Sequence, residues 1–148
     1  WAARSGKHSP DNICEATAYF GALGFSGNSW FQKKMFHGEG YTDRRASPIQ
    51  VYDLQNRWVG VKLVAYNINA DSSVKLELWL DDRPDNHWVK IAETIDSGNW
   101  NTDSPSNCGK TRDYVISEPR PRVLFRVDNA SFEFKNLSVR EIDPAGQS

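Results

Sequence analysis

Residues 57–82 read RWVGVKLVAYNINADSSVKLELWLDD, two alternating apolar runs separated by the turn-forming tetrad Asn69-Ala70-Asp71-Ser72. Successive side chains of a strand point to opposite faces of its sheet, so this pattern predicts an antiparallel hairpin with two distinct surfaces. Val59, Val61, Leu63 and Ala65 fall on one face of the first strand, and Val74, Leu76, Leu78 and Leu80 form the matching row on its partner. These eight are the expected core. The other face carries Lys62, Val64 and Tyr66 beside Lys75, Glu77, Trp79 and Asp81.

Working outward, the same punctuation recurs. Residues 16–25 (ATAYFGALGF) alternate and end at Ser26-Gly27-Asn28, residues 30–37 (WFQKKMFH) close at Gly38-Glu39-Gly40, and residues 87–96 (HWVKIAETID) follow Arg83-Pro84-Asp85-Asn86. Residues 122–128 (RVLFRVD) and 132–142 (FEFKNLSVREI) predict a final hairpin around Asn129-Ala130-Ser131, with Val123, Phe125 and Val127 inward and Leu124, Arg126 and Asp128 outward. Residues 41–56 and 97–112 read as long loops, the second carrying Trp100 and Cys108. No helical period holds for three turns. The expected fold is all-β, a two-sheet antiparallel β-sandwich of jelly-roll type, formed as one domain over residues 1–148.

Composition narrows the function. Eighteen Lys+Arg against 19 Asp+Glu give a net charge of -1, without the basic excess that a nucleic-acid binder uses. No apolar run is long enough for a helical membrane span. The chain begins at Trp1 with no leader pattern, as expected of a mature chain or of a module in a longer extracellular protein. Six Trp in 148 residues exceed what a small sandwich normally buries, and exposed indoles suit stacking on sugar rings. Cys14 and Cys108 lack the short spacing of a zinc site. An even count is read as one disulfide, worth about 3–5 kcal/mol by closing a long loop and implying an extracellular compartment. Two unrelated buried thiols are the alternative.

Residues 58–67 followed by 74–81 are similar to the central strands of concanavalin A-like jelly rolls, found in carbohydrate-binding modules and polysaccharide-lyase-like domains. The closing segments 125–129 and 134–142 extend the resemblance over residues 16–142. It implies two sheets, a concave polysaccharide-facing surface and, commonly, a structural calcium. On that reading Trp79 and Tyr66 are sugar platforms, while Glu77, Lys62, Arg126 and Asp81 hydrogen-bond hydroxyls. The alternative is an ordinary solvated face with cross-strand ion pairs such as Lys62 with Glu77.

A second constellation, Lys33, His37, Tyr41, Arg44 and Arg45, contains the residue types that eliminate a uronate: cations to neutralise the carboxylate, Tyr or His to move protons. The Arg-rich strand and Gln-x-His strand of jelly-roll alginate lyases are absent. Glu77 and Asp81 share a face but lie roughly 13 Å apart along a strand, too far for a retaining glycosidase pair. Calcium ligands, if present, are sought at Asp81, Asp82 and Asp85, or at Asp128 and Asn129, though the metal position is unknown. Asn129 and Asn136 each open a glycosylation sequon. The leading expectation is an extracellular polysaccharide-binding domain that needs no cofactor. A polysaccharide lyase and a self-assembling subunit or adhesin, attached to a larger multimodular protein or to its own copies, are the alternatives.

Overall fold

The computed structural model describes residues 1–37, 40–42, 44–46, 51, 53–100, 108–110 and 114–143. The turn at Gly38-Glu39 and parts of both expected long loops (47–50, 52, 101–107 and 111–113) lie outside the described residues. Eight strands form two antiparallel sheets: β1 (Ala2–Ser5), β2 (Ala18–Leu23), β3 (Ser29–Lys34), β4 (Arg45–Ala46), β5 (Gly60–Ile68), β6 (Ser73–Asp81), β7 (Val89–Asp96) and β8 (Arg122–Leu124). One sheet has the order β4-β3-β2-β1-β8 and the other β5-β6-β7. No helix among the described residues is long and apolar enough to cross a membrane.

The decisive hairpin forms in the expected register, with Leu63 opposite Leu78 and Lys62 opposite Trp79. Its turn is closed by Ser72 N–H donating to Asn69 O at 3.2 Å and by Asn67 Nδ2 donating to Asp71 Oδ1 at 2.8 Å. Val74, Leu76, Leu78 and Leu80 are buried, with Val59, Val61, Leu63 and Ala65 packed against them. Facing them from the other sheet are Tyr19 and Phe31. Gly21 marks the closest approach of the sheets, since a Cβ there would lie 2.9 Å from both Leu63 Cδ1 and Leu78 Cδ2.

The inward face of the five-stranded sheet also carries charge. Lys33 and Asp96, both fully buried, meet with Nζ 2.7 Å from Oδ2, joining β3 to the end of β7. The Tyr19 hydroxyl donates to the same Oδ2 at 2.6 Å and accepts the Ile116 N–H at 3.0 Å. Burial first, then the Asp96 carboxyl beside it, push the Tyr19 phenol far above its ordinary value. Trp100 closes this end of the core, 1% exposed, its indole N–H donating to Ile95 O at 3.2 Å. The Cys14–Cys108 disulfide is formed, tying the segment before β2 to the late loop across 94 positions.

Several expectations are corrected. Residues 2–5 are a central strand of the five-stranded sheet, between β2 and β8, although Ala-Ala-Arg-Ser has no apolar alternation. The register shifts between Ala2 and Ser5, and Arg4, at φ 51, aims its guanidinium at Ile116 O and Ser117 O, each 3.0 Å away. The last hairpin is not formed. Pairing of the expected strand 122–128 stops at Leu124, and residues 132–142 are irregular and largely exposed. Asn129 and Asn136, both at φ 55, break the extended run. Phe132 stacks instead on Phe25 at 5.1 Å. Val123, expected inward, is 41% exposed, because β8 is the sheet edge. Trp100, carried by the second of the expected long loops, is core.

Replacing Gly21 with Val should lower stability by about 1–3 kcal/mol through overpacking, read as a lower denaturant midpoint with an unchanged slope. An unchanged midpoint would mean that the sheets do not meet at this residue.

Candidate functional site

The two outward sheet faces differ in how fully their polar groups are already used. On the three-stranded sheet, register places Lys62, Trp79 and Lys90 in one row, Val64, Glu77 and Glu93 in the next, and Tyr66, Lys75 and Ile95 in a third. Glu77 sits at the centre with its side chain 3% exposed. Its Oε1 accepts from the Tyr66 hydroxyl at 3.2 Å and lies 3.5 Å from Lys75 Nζ and 3.6 Å from Lys90 Nζ. Its Oε2 accepts the Trp79 indole N–H at 2.9 Å. Lys62 lies over Trp79 at 5.1 Å and over Trp88 at 4.5 Å, while Lys90 sits 5.8 Å from the Trp79 ring centroid.

The expected Lys62–Glu77 pair is thus replaced by pairs to Lys75 and Lys90, with Lys62 held over two indoles. Trp79 and Tyr66 are half-buried. Glu77 is committed to its neighbours and has little capacity left for a sugar hydroxyl. Asp81 is buried as well. Its carboxylate accepts the N–H of Asp85 at 3.3 Å and of Asn86 at 2.8 Å, closing the β6–β7 turn.

Ionic support on this face is modest and pH-dependent. The Lys90 hydrogen bond, followed by that of Lys75, holds the Glu93 carboxyl below its ordinary value of 4.5. A carboxyl depressed in the folded state contributes stability above its unfolded value and loses it as pH falls through the folded one. Because Glu93 is 49% exposed, the contribution is about 1 kcal/mol at most. Glu93→Gln should therefore lower stability slightly at neutral pH and leave it unchanged near pH 3, a difference measured by denaturation at both pH values.

The five-stranded sheet presents the opposite situation. Its outward face holds an open cleft of about 650 Å³ floored by β1 and β2 and walled by Lys34, Tyr41 and residues 122–126. Lys7, His8, Lys34, Arg122 and Arg126 line it, and no carboxylate among the described residues does. Alternation along β3 explains Lys34: Phe31 and Lys33 point inward, so the next side chain points out. Tyr41 is fixed by a β-bridge to Lys34 and by Thr42 N–H donating to Lys33 O at 2.9 Å. Its ring meets Phe20 edge-on at 5.3 Å, with Lys34 Nζ 5.5 Å from its centroid. Arg126 donates to the Tyr41 hydroxyl at 2.8 Å and to Asp128 at 2.7 Å.

Electrostatics agree with a cationic surface that is only partly compensated, by Asp128 at Arg126 and Glu15 near Lys7. Burial, then repulsion from Arg126, hold the Lys34 ammonium below its ordinary value. Neither Lys34 nor Arg122 has a carboxylate partner among the described residues within ion-pair distance. Among the described residues, Lys7 reaches Glu15 at 4.0 Å. An anion placed between Lys34 and Arg126 would relieve that repulsion.

The elimination constellation read from the sequence is dispersed. Lys33 is in the core and unavailable to a ligand. His37 packs edge-on against His8 at 4.5 Å. Arg44 lies over Trp30 at 4.5 Å and Arg45 over Trp100 at 5.2 Å. Only Tyr41 of that group lines the cleft, where Arg126 joins it. Arg126, just past the end of β8, thereby lies at the cleft on the five-stranded sheet and not beside Trp79, Tyr66, Glu77 and Lys62. Lys7, His8, Phe20, Lys34 and Arg122 were not singled out from the sequence, because their convergence depends on β1 entering the sheet.

The acidic turns considered for calcium have local partners: Asp82 pairs with Arg57 at 2.6 Å, and Asp85 accepts the His87 N–H at 3.1 Å. Among the described residues, no three His, Cys, Asp or Glu side chains are arranged to hold a metal. No family model, no curated protein and no solved structure matches this chain.

Proposed function

We propose that this chain is an extracellular binding domain for an anionic polysaccharide, whose carboxylate or sulfate groups enter the cleft on the five-stranded sheet. The observation that carries the reading is a cleft lined by four Lys or Arg side chains, one His and two aromatic rings, with no carboxylate among the described residues of its wall. Cationic side chains recognise oxyanions through charge-assisted hydrogen bonds. Phe20 and Tyr41 supply an apolar wall for a sugar ring. A preformed sheet holds both without an ordering cost at binding. The disulfide fits an oxidising compartment, and the jelly-roll resemblance is consistent with a glycan ligand but is fold-level analogy.

This moves the proposed surface away from Trp79, Tyr66 and Glu77, whose polar atoms already satisfy one another, and from Lys62, which lies over the Trp79 and Trp88 rings. It retains Tyr41 and Arg126. The same two residues favour a second reading, since a phenol hydroxyl against a guanidinium is the kind of pairing a uronate elimination uses.

Affinity electrophoresis through gels containing a uronate polymer, a sulfated polymer or a neutral glucan tests the proposal. Retardation is expected in an anionic gel, absent from the neutral one and weakened by added salt. Lys34→Ala and Arg122→Ala should each weaken binding about two- to fivefold, the scale of a partly exposed ion contact, while Trp79→Ala leaves it unchanged. Equal retardation by the neutral glucan, or loss of retardation on Trp79→Ala, would overturn the assignment. New ultraviolet absorbance from unsaturated uronate ends would place elimination in the same cleft.

A further inference from the structure

The most enclosed reactive groups in the molecule lie away from the cleft. Lys33 Nζ and Asp96 Oδ2 are 2.7 Å apart, with both side chains completely buried. Around them, Tyr19 donates its hydroxyl proton to Asp96 Oδ2 at 2.6 Å. The Gly98 N–H donates to the other oxygen, Oδ1, at 3.0 Å. Lys33 Nζ also donates to Tyr114 O at 3.1 Å and lies 5.7 Å from the Trp100 ring centroid.

Each feature bears on one reaction. Passing one proton across the 2.7 Å contact from the Lys33 ammonium to the Asp96 carboxylate turns the ion pair into an amine and an acid without any other reactant. The neutral amine is the nucleophile and the neutral acid the electrophile of amide condensation. Holding two such groups in contact gives effective concentrations that reach ~10⁵ M or more for well-oriented pairs. The Gly98 N–H is placed where negative charge develops on Oδ1 as the carbonyl carbon becomes tetrahedral. The Tyr19 hydroxyl is on Oδ2, the oxygen that must leave. Water lost from a dry core escapes to bulk, where it is not returned at high local concentration.

We propose that Lys33 and Asp96 condense into an intramolecular amide that covalently joins the two sheets, with Tyr19 as the proton donor. Nζ attacks Cγ and the Nζ–Cγ bond forms. The Cγ–Oδ2 bond then breaks as Oδ2, carrying the acid proton, takes the Tyr19 hydroxyl proton and leaves as water. The surplus Nζ proton restores the Tyr19 hydroxyl. One amine and one acid become one amide and one water, with no oxidant, reductant or cofactor. The product links β3 to β7 within the core, a second covalent tie besides the Cys14–Cys108 disulfide at the surface.

The intact mass of the full-length chain, measured under denaturing conditions after purification, tests this directly. The expected value is lighter by one water than the sequence with one disulfide. Trypsin provides the location. With Lys33 blocked, cleavage falls after Lys34, giving peptide 8–34, which the amide would join to peptide 91–110. The disulfide joins the same two peptides, so reduction and alkylation precede digestion, and only the amide survives. Lys33→Met, whose mass is readable in any folding state, should retain the water and yield separate peptides. A native mass equal to the disulfide-bonded sequence, with two separate peptides after reduction, would overturn the proposal.

Discussion

Lys33 and Asp96 meet in a part of the core that water does not reach, and the geometry around them constrains the whole sandwich. Before they condense, the pair holds two charges out of water at a cost of several kcal/mol per ion, so it forms only where other groups complete its hydrogen bonding. Here those groups are the Tyr19 hydroxyl, Tyr114 O and the Gly98 N–H, drawn from both sheets and from the segment after the late loop. Deleting one partner would strand a buried charge, at a cost of about 3–5 kcal/mol. The constraint reaches the outer surface. Because Lys33 must point in, Lys34 must point out, and Tyr41, bridged to Lys34, is carried to the rim of the cleft.

The two outward faces show why residue type alone does not identify a binding surface. Both hold aromatics and cations. On the three-stranded sheet the cations face Glu77 and Glu93 or lie over indoles, so a ligand would have to displace interactions already made. On the five-stranded sheet, Arg126 pairs with Asp128 yet still repels Lys34, and no carboxylate among the described residues lines the cleft. A surface whose own groups are mutually unfavourable gains most from an external anion. That asymmetry, rather than the number of Trp residues, directs the functional assignment.

What the sequence could reveal follows from where its signals arise. The β5–β6 hairpin was legible because a period of two is imposed by burial on one face, and its core row is found where the alternation puts it. The disulfide was legible from an even count and long spacing. Strand β1 was not, since Ala-Ala-Arg-Ser gains its place through two neighbouring strands rather than through its own pattern. Residues 132–142 failed in the other direction: their alternation is present and β8 offers an open edge, but Asn129 and Asn136 at φ 55 break the extended run that pairing needs. The cleft depends on that unreadable β1. Lys33 misled for a related reason, because alternation gives the face of a side chain without saying that a lysine there has a buried carboxylate waiting.

Amide chemical-shift changes on titrating a uronate oligosaccharide distinguish binding in the cleft from binding on the three-stranded sheet. Saturable changes confined to Ser5, Gly6, Lys34, Tyr41 and residues 122–126, with Lys62, Trp79 and Lys90 silent, are the predicted result. Changes centred on Lys62, Trp79 and Lys90, with the cleft silent, would contradict the account.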